Sequence, residues 1–406
     1  MKINDEKIYK FEKEFLENIA DNQLLEFKSQ MNNDDEGNIK IPFTHKGYKC
    51  NDKIPECIDS KVQAISFFSG CGGLDIGAQL AGVKVISSLD FYGDSVQTLK
   101  ANKFFDHSEH FTEDITNVKG DDFREIIEKN RPEKLILLGG PPCQPFSKAG
   151  YWVTNEKRLA HEDPRNMIGQ YFRLISEIMP DGFVLENVES ILHPSNKEAM
   201  ESIISLTTEL GYHYSLLKVN SADYGIPQKR KRVFVLASKN PIDAKLVQTH
   251  GSEKEILGNP SLLPYEKVIN WIGEFDDSQE IDSSIIVEGK YAQELSEIPP
   301  GKNYIALTER ANHPNPRFVA GKRYWSSLLK LHPELPSWTI IASPGHWEGP
   351  FHWKNRRLTI REAAAIQTFP DDYIFAGSIR SQRKQIGNAV PPLLGKLIVE
   401  ELCRWI

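Results

Sequence analysis

A chain of 406 residues, 40% hydrophobic and 26% charged, has enough apolar material for a large core. Single cores stop growing at about 250–300 residues, so one large domain and a smaller one are expected. No run approaches the ~18 consecutive apolar residues of a membrane span, and the charged start lacks the apolar stretch of a secretory signal, so a cytoplasmic protein is expected. The net charge of −7 argues against a protein that coats nucleic acid with its whole surface, and five scattered cysteines without a CxxC pair offer neither a disulfide framework nor a zinc knuckle.

Residues 1–60 read as an N-terminal extension of helical pattern broken by "NNDDEGN", with no chemistry visible in it. From Val62 short apolar runs alternate with amphipathic stretches. The runs are Ala64 to Phe68, Val83 to Leu89, Leu135 to Leu138, Phe183 to Leu185, His213 to Val219 and Val233 to Ala237. Ser95 to Ala101, Phe123 to Lys129, Ile168 to Met179 and Ala199 to Leu210 carry the helical periodicity between them. Strands alternating with helices predict an α/β fold with a parallel sheet covered on both faces, which binds its ligand at the carboxyl ends of the strands. That domain spans 61–240. Residues 241–355, rich in Pro, Trp and charge, form a second, irregular domain, and 356–406 return to helical periodicity and to the first domain.

The glycine-rich stretch "FFSGCGG" (Phe67 to Gly73) follows the first strand and opens a helix; its glycines permit positive φ and close approach of the backbone. It fails the dinucleotide pattern GxGxxG because Asp75 holds the third position. The next strand ends at Asp90, where a carboxylate can accept both hydroxyls of a ribose, and Phe91 adds a flat face for an adenine. Asp114 ends the following unit, placed to accept from an exocyclic amine. Together the two acids and the aromatic fit an adenosine-containing cofactor.

"GGPPCQPFS" (Gly139 to Ser147) then presents Cys143 at the end of a buried strand in a loop stiffened by three prolines, and a rigidly held thiol suits a nucleophile. Glu186 and Asn187 end the strand of "DGFVLENV"; a carboxylate there is costly unless paired or functional. "QKRKR" (Gln228 to Arg232) precedes the last strand, and strand alternation sends Arg230 and Arg232 to one side. Residues 310–362 carry nine Lys or Arg against three Glu, a basic face with four tryptophans for a polyanion.

In this order the segments resemble the cytosine-5 DNA methyltransferases, including those of bacterial restriction-modification systems. The likeness rests on "FFSGCGGLDIG", "SLDFYGDS", "EDIT", "PPCQPFS", "ENV", "QKRKR", "RRLTIREAAAIQTFPDDY" and "QIGNAVPP". It implies a Rossmann-like S-adenosylmethionine-dependent methyltransferase fold with a smaller target-recognition domain at 241–355, and methyl transfer to carbon 5 of a flipped-out cytosine. Position by position, it makes Cys143 the nucleophile and Glu186 the holder of the cytosine edge, with Arg230 and Arg232 as the family's motif arginines. Phe68, Gly70, Gly72, Gly73, Leu74, Asp90, Phe91, Asp114, Ile115, Pro142 and Asn388 become cofactor residues. Gln144, Ser147, Gln228, Thr339 and Ile340 become DNA residues. One departure is visible: Ser66 stands where the family often has an acid.

The resemblance further implies double-stranded DNA as partner, a monomer on that DNA, no metal, no membrane, and pairing with a restriction endonuclease. An RNA-directed cytosine methyltransferase is the nearest alternative, opposed by the long variable region. A non-catalytic DNA-binding paralogue is the other, opposed by the intact Cys143, Glu186, Arg230 and Arg232.

Overall fold

The computed structural model describes Cys57, Ser60 and residues 61–142, 166–275 and 285–406, together with the backbone of two short strands, Asn32–Asn33 and Ile39–Lys40. Those two strands pair antiparallel in an N-terminal unit of residues 1–46, and residues 47–406 form a second compact unit.

Seven strands of the second unit make one sheet: β1 (Val62–Phe67), β2 (Lys84–Asp90), β3 (Glu109–Thr112), β4 (Lys134–Gly139), β5 (Gly182–Val188), β6 (His213–Asn220) and β7 (Lys231–Ser238). Their order is β3-β2-β1-β4-β5-β7-β6. The chain winds outward from β1 through β2 to β3, then restarts on the other side of β1 with β4. That reversal between β1 and β4 opens a crevice at their carboxyl ends.

Period-two alternation explains why the apolar runs are nearly continuous. Ile65, Ile86, Leu137, Phe183 and Val235 face one core with Phe123, Ile126, Tyr171, Phe172, Ile175 and Ile203. Those partners lie on or beside α3 (Arg124–Asn130), α4 (Met167–Ile178) and α5 (Lys197–Glu209). Their sequence neighbours Ala64, Val85, Ile136, Val184 and Phe234 face the other core. That side is closed by α1 (Gly73–Leu80), bearing Leu74 and Ala78, and by the C-terminal helix α8 (Pro392–Cys403), bearing Leu394, Ile398, Val399 and Leu402. Helix α2 (Gly93–Ala101) follows β2 and packs along β2 and β3.

Two expectations need correction. The sheet is not wholly parallel: β7 runs antiparallel to both β5 and β6. Residues 221–230, which join β6 to β7, have one 3₁₀ turn, Ser221–Tyr224, as their only helical structure, and a parallel crossover needs about a dozen residues or more. The basic run also changes role within itself. Gln228–Lys229 leaves the main sheet to pair with Ser337–Trp338, so Arg230 falls at the break and is completely buried.

Among the described residues of 239–355 the helices and strands are short. They keep a small core of their own around Leu295, Ile298, Tyr304, Leu307, Leu328 and Phe351. Helix α6 (Ile360–Ile366) begins with a capping box between Thr359 and Glu362, and Glu362 also takes both guanidinium nitrogens of Arg356, at 2.8 and 2.7 Å. Helix α7 (Ile379–Asn388) then runs back to the crevice.

Candidate active site

The chain passes from β1 into α1 through a turn with Phe68 at φ 55°, Gly70 at 54° and Gly72 at 79°. Three residues in the left-handed region fold the backbone tightly enough to point an amide sideways. Gly70 N–H donates to Asp90 Oδ2 at 2.8 Å, and Tyr92 N–H donates to Asp90 Oδ1 at 2.8 Å. The carboxylate at the end of β2 is thereby oriented by the glycine turn of β1. Burial pushes the Asp90 carboxyl up, opposed by these two N–H groups and by the charge of Lys384. Phe91, next in sequence, is 63% exposed at the lip of the crevice.

Asp114 caps the 3₁₀ turn Ile115–Asn117: its Oδ1 accepts from Thr116 N at 2.9 Å and Thr116 Oγ1 at 2.8 Å. Ile115 is buried beneath it. Across the reversal point, β4 is followed by Gly140, Pro141 and Pro142, and Asn187 Nδ2 donates to Pro141 O at 3.1 Å, which ties the start of the cysteine loop to β5. Cys143, Gln144 and Ser147 lie outside the described residues.

Glu186 is the inward residue at the end of β5, paired in register with Phe234 of β7. Arg232 Nε lies 2.8 Å from Glu186 Oε1, near enough for an ion pair but out of line for a hydrogen bond. Both side chains are about one-eighth exposed, 13% and 12%, so the pair borders the crevice with little water around it. Arg230, fully buried, sends Nη2 to Gly387 O at 2.9 Å; its Nε and Nη1 have no partner among the described residues. Burial and the neighbouring Arg232 hold its guanidinium well below the usual arginine range, while Glu186 opposes them.

One cleft of about 1010 Å³ gathers these groups. Phe68, Gly70, Gly73 and Leu74 line it from the turn, Asp90 and Phe91 from β2, and Asp114 and Ile115 from β3. Pro142, Glu186, Arg232 and Asn388 complete the wall. Gly72 supports the turn from behind, where an added Cβ would meet Leu99 Cδ2 at 2.6 Å.

Gln228, Thr339 and Ile340 are also brought together, but as an internal tie. Gln228 is fully buried; its Oε1 accepts from Ile340 N at 3.1 Å and its Nε2 donates to Gln367 Oε1 at 2.9 Å. Thr339 Oγ1 donates to Lys229 O at 2.8 Å. Among the tryptophans of the basic segment, Trp353 belongs to the core.

Sequence reasoning missed most of α7. Arg380, Ser381, Lys384, Gln385 and Asn388 all line the cleft, at the spacing of one helix face. Lys384 Nζ sits 3.7 Å from the centre of the Tyr92 ring. The available signal was Ser378, which caps the helix, followed by Ile379 and Ile386 seven residues apart.

Residues 62–404 match the family model described as C-5 cytosine-specific DNA methylase. The chain belongs to this family. It is a cytosine-5 DNA methyltransferase. Its curated relatives include the Type II methyltransferase M.SacI of Streptomyces achromogenes, 33% identical over 85% of this chain and 93% of that protein. M.Eco47II of Escherichia coli is 31% identical over 98% and 88% of the two chains. Among solved structures, a putative DNA modification methyltransferase from an E. coli prophage superposes with a TM-score of 0.56 at 23% identity, covering 85% of this chain and 99% of that one. The S. pombe Dnmt2 methyltransferase superposes with a TM-score of 0.57 at 16% identity, covering 84% and 98%. The fold of this methyltransferase is therefore that of its structural neighbours, a Rossmann-like α/β sheet. Among the described residues no helix is long and apolar enough to cross a membrane.

Proposed function

We propose that this enzyme methylates carbon 5 of a flipped-out cytosine within a specific double-stranded DNA sequence, through a covalent adduct on Cys143, and that it serves a restriction-modification system. The convergence of Asp90, Asp114, the start of the cysteine loop and the Glu186–Arg232 pair on one cleft carries this reading.

The residues present fit S-adenosylmethionine. Each Asp90 oxygen accepts one backbone N–H, and a carboxylate has about four accepting sites, so both oxygens keep capacity for the two hydroxyls of a ribose. Phe91 offers an exposed ring for the adenine, Asp114 Oδ2 an acceptor for its amine, and Asn388 closes the amino-acid end. When bound, this cofactor supplies an electrophilic methyl group.

The protein's part in the chemistry falls to two strand ends. Carbon 5 of cytosine is a weak nucleophile, and the Cys143 thiolate corrects this by bonding to carbon 6, which makes carbon 5 electron-rich. Glu186, held by Arg232, faces ring nitrogen 3 and the exocyclic amine; its carboxyl gives a proton to nitrogen 3 as the thiolate adds, neutralising the negative charge that develops there, and takes it back on elimination. Once carbon 5 carries the methyl, its proton leaves to a base, the electrons of that bond form the ring double bond, and the carbon–sulfur bond breaks to return the thiolate. Reaching carbon 6 requires the base to leave the stack, at a few kcal/mol. Gln144 and Ser147 meet the DNA there. Gln228 and Ile340 act by holding the recognition segment against the run that carries Arg230 and Arg232.

Bisulfite sequencing of DNA from cells expressing the protein reports base, carbon and context together. Methylcytosine in one sequence context is expected, and its loss in Cys143→Ser. Methylation unchanged by Cys143→Ser refutes the adduct, and activity on tRNA alone refutes the substrate.

A further inference from the structure

Asp75 lies in the first turn of α1, directly behind the glycine turn, and is completely buried. Its Oδ1 accepts from Ser66 Oγ at 2.6 Å and its Oδ2 from Ser88 Oγ at 2.8 Å. The carboxylate thus joins the ends of β1 and β2. Ser66 also receives Ser69 Oγ at 3.0 Å and is itself part of the cleft wall, so one hydroxyl separates Asp75 from the cavity.

Both side-chain partners of Asp75 are neutral, and among the described residues no Lys, Arg or His pairs with it. Buried acids are rare without a cation. Burial pushes the Asp75 carboxyl up to about 6, despite the two serines. Of the ionisable groups around it, Asp90 on β2 repels it. Cys71 in the turn and Tyr373, whose hydroxyl donates to Cys71 O at 2.7 Å, are both held above their usual ranges by burial and stay neutral. Among the described residues, the floor of the cleft therefore holds an acid whose charged neighbour is another acid, and its compensation comes from neutral donors, the two serine hydroxyls and the backbone at the α1 N-terminus.

We infer that Asp75 is the buried counter-charge for the cationic sulfur of the cofactor, and that it favours the charged methyl donor over the neutral thioether left after transfer. The inference rests on the cofactor assignment made above. Donor and product share the adenosine and the amino-acid tail, so hydrogen bonds to those parts hold both alike. A charge beneath the turn distinguishes them. The acid that the family resemblance leads one to expect at position 66 enters from position 75 instead, bonded to the serine that replaces it.

The pH dependence has a definite sign. A cation above Asp75 favours its ionised form, so donor binding near pH 6 expels a proton, and donor affinity rises from about pH 5 to about pH 7. Product affinity does not rise through this group. Asp90, also raised, acts on the ribose common to both ligands and moves both affinities together.

Calorimetric titration of the full chain with S-adenosylmethionine and with S-adenosylhomocysteine tests this. Wild type binds both; binding of neither overturns the cofactor reading and this inference with it. Asp75→Asn is expected to weaken donor binding about tenfold and product binding less than about twofold, the size of a charge pair at partial screening. Equal losses for the two ligands make Asp75 a structural residue and overturn only the inference. Should the variant not fold, the wild-type pH series decides: the ratio of donor to product affinity rises about tenfold between pH 5 and pH 7, and a flat ratio overturns the counter-charge.

Discussion

The two oxygens of Asp90 each hold one backbone N–H, which fixes the carboxylate before any ligand arrives. Glu186 is fixed differently, by a guanidinium. The two acids therefore fail in different ways when altered. Asp90→Ala removes charge-assisted hydrogen bonds worth about 1.5–3 kcal/mol, so the cofactor dissociation constant rises about 10- to 100-fold, read by titration calorimetry. Glu186→Gln keeps the shape but not the charge; single-turnover methylation slows about 10²–10³-fold while cofactor affinity holds. Unchanged affinity in the first variant refutes the ribose contact, and a matching loss of affinity in the second makes Glu186 structural. These residues were legible in the sequence because each ends an apolar run, the one place where an acid does not belong to the core. Asp75 was read there only as the residue that breaks GxGxxG. Its partners Ser66 and Ser88 sit on two different strands, a proximity that only the folded sheet creates.

At the scale of elements, the strands buried on both faces announced themselves as apolar runs. Strand β3 did not, because Glu109–Thr112 is mostly exposed at the sheet edge. Helix α7 escaped notice for a similar reason: "IRSQRKQIGN" turns a polar face to the cleft and buries one large apolar side chain, Ile386. Its placement is nonetheless demanding. Gln385 Oε1 accepts from Thr98 Oγ1 at 2.6 Å, Gly387 O accepts from the buried Arg230, and a Cβ on Gly387 would stand 2.3 Å from Ala342 Cα. At Gly387 the cleft-lining helix α7, the buried Arg230 and the backbone at Ala342 touch. Gly387→Ala forces backbone apart at that point and is expected to lower stability by about 1–3 kcal/mol in urea unfolding. An unfolding midpoint equal to that of wild type contradicts the close approach.

For the whole molecule, composition separates an α/β pattern from a segment rich in Lys and Arg, but the count of basic residues overstates the basic surface. Of the nine Lys and Arg between 310 and 362, Lys330 is buried on Ile298 O and Asn355 Oδ1, and Arg356 is spent on Glu362. Arg317 is paired with Glu297 at 3.0 Å and faces Glu294. Lys354 and Arg357 are half-buried; Arg310, Lys322, Arg323 and Arg361 are exposed, with Arg323 donating to Tyr291 Oη at 2.7 Å. Each phosphate contact contributes about −0.9 to the slope of log K against log salt, so four contacts predict a slope of ~−4 where all nine would predict ~−8. Fluorescence anisotropy with a labelled duplex at several salt concentrations measures it. Lys322→Ala is expected to lessen the slope by about 1, equally on duplexes of any sequence, because a phosphate contact carries no base information. A slope near the larger value shows that the buried and half-buried basic residues turn outward on DNA, and an unchanged slope in Lys322→Ala removes that lysine from the contact surface.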